Sequence, residues 1–498
     1  MDRKIGKHAF QLACFGFLLF ISLGRSPASA VGPHDALTSY EGSKTCMPCH
    51  SGKAEEVFGS AHYQLKGPTP YVPNLGGQIV GKLGGINDYC TYPDINWLFE
   101  MTNLSAQKVI VGCSVCHVGL GKKPAKGMTQ AQLENIDCLI CHSDIYKRVG
   151  ARVSGILKFV PDPTIDIRAA LAGIQMPSQA ACLSRCHANA GGGSGVKQGD
   201  IDPLLDPPRT LDVHMSSQGA GLKCRDCHTA KNHHIAGRGN DIRETDLDAK
   251  VDCTNCHASV PHTDRYINKH INRVHCTVCH IPAYARNLPT ETYRDWSRSA
   301  PDLASNRYEP IRAKGVNLTP VYKFFNGSSY FYKFGDPLTL SPTGTFVLSG
   351  PLGNIRDPKA KINAFKLHRS KMAYDQGGTR LIPIKSRVMW QTGNVDQAIR
   401  QGILSVGWPD AGYKFATSSR YLSLYHQVAP KENALACGAC HPNTGRVKFQ
   451  QLGYTPKTTY NNLPLCASCH SKETANFFEI HRKHVDDKNF SCSICHNF

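Results

Sequence analysis

The chain has 498 residues, a formal net charge of +19 and 22 cysteines. Length alone suggests two to four domains. After the first 30 residues there is no run of about 18 consecutive apolar residues, which excludes a membrane-spanning helix from the rest of the sequence.

Residues 1–30 have the pattern of a secretory signal peptide. The basic start MDRKIGKH precedes the apolar run AFQLACFGFLLFISL, and Ala28-Ser29-Ala30 forms a small-residue cleavage site. We therefore expect a mature protein that begins near Val31 and is periplasmic or extracellular.

The pentapeptide C-x-x-C-H recurs nine times. Two cysteines at this spacing can form thioethers with both vinyl groups of one porphyrin, and the next histidine then reaches the iron, so the motif predicts c-type haem. The cysteines are Cys46, Cys49, Cys113, Cys116, Cys138, Cys141, Cys224, Cys227, Cys253, Cys256, Cys276, Cys279, Cys437, Cys440, Cys466, Cys469, Cys492 and Cys495. The proximal histidines are His50, His117, His142, His228, His257, His280, His441, His470 and His496. A zinc ribbon is the alternative, but it needs two C-x-x-C knuckles for each metal and no histidine after each pair.

A tenth motif, CLSRCH, has one extra residue between Cys182 and Cys186 and still ends in a histidine, His187. We expect ten haem c groups in all, nine of them from the regular motif. A Cys182–Cys186 disulfide, or a haem held by one thioether, is the alternative at this position. The motifs use all cysteines except Cys14 and Cys90, so a disulfide framework is excluded. In chain order we call the motifs first to tenth, with CLSRCH as the fourth.

Histidine number and net charge fit the same interpretation. Of 23 histidines, ten are proximal and His8 lies in the signal peptide, so twelve remain for ten distal iron positions. We interpret most haems as bis-histidine, low-spin, electron-transferring groups, although surface histidines are the alternative. Ten haems add roughly twenty propionate charges, which offset the basic residues, so we expect no binding of nucleic acid.

The expected fold is a multihaem cytochrome c, mainly short α-helices and irregular loops wrapped around a stack of covalent haems, with little β-structure. Residues 31–280 carry seven motifs, and residues 437–498 carry three. Residues 281–436 carry no motif and supply distal ligands; within them, PVYKFFNGSSYFYKFGDPLTLSPTGTFVLSG predicts a small sheet or hairpin. Helices are expected at Thr129–His142 and Thr474–Val485.

Several strings resemble the octahaem tetrathionate reductase family of periplasmic multihaem cytochromes. They include CHANAGGGSGVKQGDID, NHHIAGRG, CTVCHIPAYAR, FKLH and YHQVAPKENALACGACH. The resemblance covers about residues 46–455 and accounts for the first eight motifs. The last two lie beyond it, so it implies a decahaem relative with a C-terminal extension.

The resemblance also implies distal iron ligands. The matching histidines are His62, His214, His233, His262, His270, His368 and His426. In the extension, His481 and His484 of EIHRKH are the natural distal pair for the two extra haems. His34, His234 and His275 stay unassigned.

The family's active-site haem has a lysine as its distal ligand, and the matching residue here is Lys197, opposite His117 of the second motif. A lysine binds iron only as the neutral amine, so it must be desolvated. Cys90 matches a cysteine that the family places beside this haem; a buried structural thiol is its alternative. Ser194 stands where the family has an aspartate, which leaves proton delivery and the substrate open.

Two functions follow as expectations. The first is an exported multihaem oxidoreductase that receives electrons from a redox partner protein and reduces a small inorganic anion of the tetrathionate, nitrite or hydroxylamine class, with Lys197, Cys90 and His117 as catalytic residues. Lys108, Lys122 and Lys123 could steer the anion or pair with propionates. The second is a non-catalytic electron conduit between periplasmic or extracellular partners. The sequence leaves the oligomeric state open.

Overall fold

A computed structural model describes residues 32–188, 199–202, 204–237, 246–377, 379–440, 445–456, 459–460, 463–464, 477–491 and 494–497. Residues 1–30, where a signal peptide is expected, and Lys197 therefore lie outside the described residues. In the described part, no helix combines the length and the apolar character that a membrane span requires.

Short helices surround the haem motifs. The α-helices are α1 Ser43–Cys46, α2 Lys53–Gly59, α3 Ala61–Gln64, α4 Gln130–Leu133, α5 Leu139–His142, α6 Ile167–Ala172, α7 Gln179–Cys182, α8 Cys224–Cys227, α9 Arg265–His270, α10 Thr277–His280, α11 Ser386–Thr392, α12 Val395–Ser405 and α13 Phe477–His481. Two of them, α5 and α10, end at a proximal histidine, and the second motif lies on a single 3-10 turn, Cys113–Cys116. The expected helix at Thr129–His142 is thus two short helices, α4 and α5.

Four small hairpins and two short pairs complete this part of the molecule. They are β1 Lys66–Pro68 with β2 Ile79–Gly81, β3 Phe99–Thr102 with β4 Lys108–Val111, β5 Arg148–Val153 with β6 Ile156–Pro161, and β7 Ala230–Lys231 with β8 His234–Ile235. Near the C-terminus, β16 Thr455–Pro456 pairs with β19 His496–Asn497, and β17 Thr459–Tyr460 pairs with β18 Leu463–Pro464.

The motif-free segment forms a seven-stranded mixed sheet. Its strands are β9 Thr290–Asp302, β10 Arg307–Gly315, β11 Val321–Phe325, β12 Ser329–Phe331, β13 Thr345–Pro351, β14 Lys361–Asp375 and β15 Tyr413–Ser423. The order is β10-β9-β14-β15-β13-β12, and β11 also pairs with β14. Helix and strand each make up about 25% of the structure, so the expectation of little β-structure was wrong. The central strands are polar in sequence because their buried face carries charges, which masks the usual alternation of apolar and polar residues.

One face of β14 explains where those charges lie. Side chains alternate across a strand, so the even-numbered residues from 362 to 372 share a face. Ile362 and Ala364 belong to one apolar cluster, and Met372 belongs to another, beneath α11 and α12. Lys366 and His368 lie between these clusters and are fully buried. The sheet therefore encloses a polar island between two apolar cores.

Candidate haem sites and active site

Histidine rings face each other in pairs at the motifs. Among the described residues, seven pairs join a proximal histidine to a histidine from elsewhere in the chain, with ring centroids 6.0 to 6.4 Å apart. The pairs are His34 with His50, His62 with His187, His142 with His233, His214 with His257, His228 with His426, His262 with His280, and His481 with His496. Two imidazoles that bind one metal from opposite sides, each through a nitrogen about 2 Å away, have centroids about 6 Å apart.

His34 is the partner that sequence reasoning missed. Its ring centroid lies 6.1 Å from that of His50 in the first motif. The family resemblance began at residue 46 and could not include it. The available signal was a spare histidine shortly before the first motif.

The surroundings of the paired histidines suit iron ligands. Nδ1 of His142 is 2.9 Å from the Gln175 carbonyl oxygen, and Nδ1 of His228 is 3.0 Å from that of Ala236. A carbonyl can only accept, so Nδ1 donates and Nε2 is left with the lone pair that a metal needs. Burial lowers the pKa of His187 to about 3, which keeps its ring neutral.

The irregular fourth motif fits the same scheme. Leu183–His187 forms a π-helical turn directly after α7, and a π turn accommodates one inserted residue without breaking the helix. His187 still faces His62 at 6.3 Å, and Cys182 and Cys186 are separate thiols. The extra residue therefore leaves the ligand geometry of this motif intact.

Neighbouring cysteines give the spatial order of the motifs. Cysteines lie close enough to change each other's pKa in the first and third motifs, the second and fourth, the fourth and fifth, and the sixth and seventh. Cysteines of the third and fourth, fifth and sixth, and seventh and eighth motifs also interact electrostatically. The motifs thus follow one path, first-third-fourth-fifth-sixth-seventh-eighth, and the second motif branches from the fourth.

The second motif has different surroundings. His117 is fully buried, and the rings that contact it in the described part of the chain belong to Tyr63 and Trp97, each 4.9 Å away. Nε2 of His117 lies 2.6 Å from the Tyr63 carbonyl oxygen, and Nδ1 is buried without a hydrogen-bond partner. Burial lowers the pKa of His117 to about 3. A neutral, desolvated nitrogen with its opposite nitrogen anchored fits an iron ligand.

The two histidines that could compete for this position lie elsewhere. His234 Nδ1 is 2.7 Å from an Asp246 carboxylate oxygen, and His275 Nδ1 is 3.0 Å from the Thr277 hydroxyl. Asp252, Cys253 and His275 lie close enough to hold a metal ion, but Cys253 is a haem-attachment cysteine.

Cys90 lies beside the second motif. The pKa of the Cys113 thiol is raised, mainly by burial and to a smaller extent by the neighbouring Cys90. The backbone N–H of Cys90 donates to the Asn87 side chain at 2.8 Å, which fixes the turn that presents it. Lys82, which sequence reasoning did not single out, acts electrostatically on both Cys113 and Cys116. Of the predicted cations, Lys108 and Lys123 pair with Glu100 and Asp94.

The sheet holds the loop that carries Cys90. Trp296 Nε1 donates to the Asp88 carbonyl at 2.7 Å, and the Arg294 guanidinium donates to the Tyr89 carbonyl. Arg420 Nε donates to the Asp88 carboxylate at 2.6 Å. The motif-free segment therefore forms a wall of the second haem site.

We call Asp88, Glu291, Arg294, Lys366, His368 and Arg420 the buried charged cluster. Each is at most 2% exposed. His368 and Arg420 are direct partners in the β14–β15 register, and Ser370 is the partner of Arg294 between β14 and β9. Strand register thus brings together residues that are far apart in sequence.

His368 was predicted as a distal haem ligand, and its surroundings do not fit that role. Nδ1 is 2.7 Å from an Asp88 carboxylate oxygen, and Nε2 is 3.2 Å from one of Glu291. Its ring also stacks on Tyr89 at 4.2 Å. With both nitrogens engaged by carboxylates, neither is directed at an iron, so we assign His368 to the buried charged cluster.

The remaining predicted site residues fall into two groups. Nδ1 of His270 and of His484 contact backbone carbonyls at 2.9 and 2.8 Å, as in the paired histidines. Lys197, His441, Cys466, Cys469, His470 and Cys492 lie outside the described residues.

Comparison with known proteins identifies relatives of this chain. A family model described as bacterial cytochrome c matches residues 310–444. The crystal structure of octaheme cytochrome c from Shewanella oneidensis is similar over 86% of this chain and 97% of its own, with a TM-score of 0.69 and 26% identity. This chain is a multihaem c-type cytochrome. The cytochrome is also 35% identical to an uncharacterized protein of Archaeoglobus fulgidus, over 42% of this chain and 79% of the relative.

Haem c is the cofactor of this cytochrome. The described motif cysteines would hold the porphyrins, and the paired histidine rings leave room for one iron each. When bound, haem c supplies one-electron transfer. The protein supplies neutral imidazoles, backbone carbonyls that orient them, and a buried environment.

Proposed function

We propose that this cytochrome is an exported reductase that accepts electrons from a partner protein and reduces a small oxidised sulfur or nitrogen compound at the second haem site. One observation supports this most. Of the eight motifs with a described proximal histidine, only the second has no histidine ring opposite that proximal histidine. It has instead Cys90 and a charged wall beside it. A site used only for electron transfer gains nothing from such an exception.

Roles follow from position. His117 is the proximal ligand, Lys197 is the distal ligand that substrate displaces or approaches, and Cys90 is a sulfur or hydrogen-bonding group at the pocket. Lys82 adds positive charge that attracts an anion. Tetrathionate, nitrite and hydroxylamine are the candidate substrates that the family resemblance implies.

The other haem sites serve as the relay. Their histidine pairs favour low-spin iron with no open position, which suits electron transfer rather than substrate binding. The motif path brings electrons along the first to eighth sites, and the fourth passes them to the second. Residues 1–30 serve as an export signal. Residues 31–280 carry seven haem motifs and the active site, residues 281–436 form the motif-free segment, and residues 437–498 carry the last three motifs.

A non-catalytic conduit is the second candidate, and the C-terminal extension favours it. His481 faces His496 at 6.3 Å, so the extension carries a histidine pair of its own. The extension contacts α9 through a Lys269–Asp486 ion pair and an Arg265–Asp487 contact at 3.9 Å. An added pair at the end of the path would extend the relay to another partner.

Protein-film voltammetry separates the two candidates. The holoprotein is measured with tetrathionate, nitrite and hydroxylamine, next to Lys197→His and a control, His275→Gln. A catalytic reductive current that disappears in Lys197→His but persists in the control supports the reductase. Haem waves that no substrate alters would instead establish a conduit.

A further inference from the structure

Lys366 lies between the loop of Cys90 and Gly199. Its ammonium donates to the Thr290 hydroxyl at 2.6 Å and lies 5.8 Å from the centre of the Tyr89 ring, next to Cys90. On the other side is Gly199, two residues after Lys197. A Cβ at Gly199 would come within 3.0 Å of Lys366 Cδ. A fully buried lysine thus lies beside both the loop of Cys90 and Gly199.

His368 continues the cluster two residues further along the same face of β14. Its imidazole bridges the carboxylates of Asp88 and Glu291. Each carboxylate also forms a salt bridge with an arginine. Arg420 Nε lies 2.6 Å from an Asp88 carboxylate oxygen, and Arg294 Nε lies 2.6 Å from a Glu291 carboxylate oxygen. The imidazole therefore ties the loop of Cys90, through Asp88, to β9, through Glu291.

Burial lowers the pKa of Lys366 to about 7. An ammonium in this range can give up a proton near neutral pH. The groups whose charges act on Lys366 include Glu291 and Arg294 on β9, Asp88 on the loop of Cys90, and Asp200 after the Lys197 segment. The carboxylates favour the charged amine and Arg294 opposes it, so the amine is poised between its two forms.

We propose that Lys366 supplies protons to the second haem site, held in place by the cluster that His368 completes, and that the substrate of this site is a small compound with a nitrogen–oxygen bond, of the hydroxylamine or nitrite class. This inference rests on the proposed reductase function and narrows its substrate.

Proton balance gives the reason for this choice of substrate. Reduction of hydroxylamine to ammonia breaks the nitrogen–oxygen bond and consumes two electrons and two protons. One proton goes to the leaving hydroxyl oxygen to form water, and the other goes to nitrogen. Reduction of tetrathionate breaks the central sulfur–sulfur bond, consumes two electrons and yields two thiosulfate anions without taking up a proton. A buried proton donor next to the pocket is useful only for the first reaction.

Two variants test the role of Lys366. Lys366→Gln retains a hydrogen bond to Thr290 but carries no transferable proton. Lys366→Arg retains the positive charge but does not release its proton at working pH. We expect the catalytic current with hydroxylamine to fall about 100-fold in both, the scale of general acid catalysis. The non-catalytic haem waves and any current with tetrathionate should not change.

Other outcomes separate the two proposals. A wild-type protein with no catalytic current on any substrate would overturn the reductase itself. A wild-type current with tetrathionate alone, full hydroxylamine activity in either variant, or equal loss on both substrates would overturn only the proton-supply inference. Full activity in Lys366→Arg would specifically indicate that charge, rather than a proton, is what the site needs.

Discussion

Arg420 and Asp88 form a salt bridge of 2.6 Å in which neither side chain is exposed to solvent. Asp88 comes from the loop of Cys90, and Arg420 comes from β15, 332 residues later. This contact ties the predicted active-site loop to the sheet, together with those of Arg294, Trp296 and His368.

Loss of this partner should destabilise the fold strongly. In Arg420→Met the Asp88 carboxylate stays buried without its guanidinium, which costs about 3–5 kcal/mol. The control is Arg298→Met, because Arg298 is 68% exposed and its pair with Asp295 contributes at most about 1 kcal/mol. Denaturant unfolding followed by circular dichroism measures both. Equal losses in the two variants would contradict the structural role of Arg420.

Glu291 should make the free energy of unfolding depend on pH in the acid range. Burial alone would raise its pKa, but Arg294 and His368 outweigh that effect and lower the pKa of Glu291 to about 2. A carboxyl whose pKa is lower in the folded state stabilises the fold above its unfolded pKa of about 4.3, and this contribution is lost as the pH falls towards 2. Unfolding free energy measured between pH 5 and about 2.5 should therefore fall more steeply in the wild type than in Glu291→Gln. The control is Glu41→Gln, at an exposed site. Parallel curves for wild type and Glu291→Gln would refute the prediction.

His34 should be an iron ligand of the first haem. In His34→Ala the iron opposite His50 loses its second imidazole, so one haem is expected to change from low to high spin. Electron paramagnetic resonance and the charge-transfer absorption of high-spin haem measure the change. His275→Gln is the control and should leave all spin states unchanged. An unaltered spectrum in His34→Ala would mean that another group ligates this iron.

Gly402 sets how closely α12 packs against the segment that precedes α11. A Cβ at this position would come within 1.6 Å of the Pro383 carbonyl oxygen, which is part of the backbone and cannot move aside cheaply. We expect Gly402→Ala to lower the free energy of unfolding by about 1–3 kcal/mol or more. Gly127→Ala is the matched control, since nothing lies within 4 Å of its Cβ. Similar stability of the two variants would contradict the tight packing of α12.

The Lys269–Asp486 ion pair should hold the C-terminal extension against α9 and protect it from proteolysis. The charge reversal Lys269→Glu opposes Asp486, and the double variant with Asp486→Lys restores the pair in the opposite sense. We expect limited proteolysis near residues 477–491 to speed up in the single variant and to return towards the wild-type rate in the double variant. Arg482→Glu is a control outside this contact. If the double variant is cut as fast as the single one, the ion pair does not hold the extension.

Sequence alone determined the haem chemistry. Each attachment needs two cysteines and a histidine within five or six consecutive residues, so the whole requirement is written locally in the chain. The cofactor and the cytochrome family could be predicted for that reason. Five histidines that the family resemblance implied as distal ligands lie opposite proximal histidines, for example His62 opposite His187. His481, which was expected from the extension alone, lies opposite His496.

Only the tertiary structure decided which histidine meets which iron and what surrounds the second site. His34 and His368 are both histidines outside the haem motifs, and nothing local in the sequence separates their roles. In the structure, however, His34 faces His50, and His368 lies between two carboxylates. The difference arises from strand register and long-range packing, which place Asp88, Glu291 and Arg420 around one ring. The cluster could not be predicted from the sequence, because a strand whose buried charges neutralise one another has the same sequence pattern as a solvent-exposed strand.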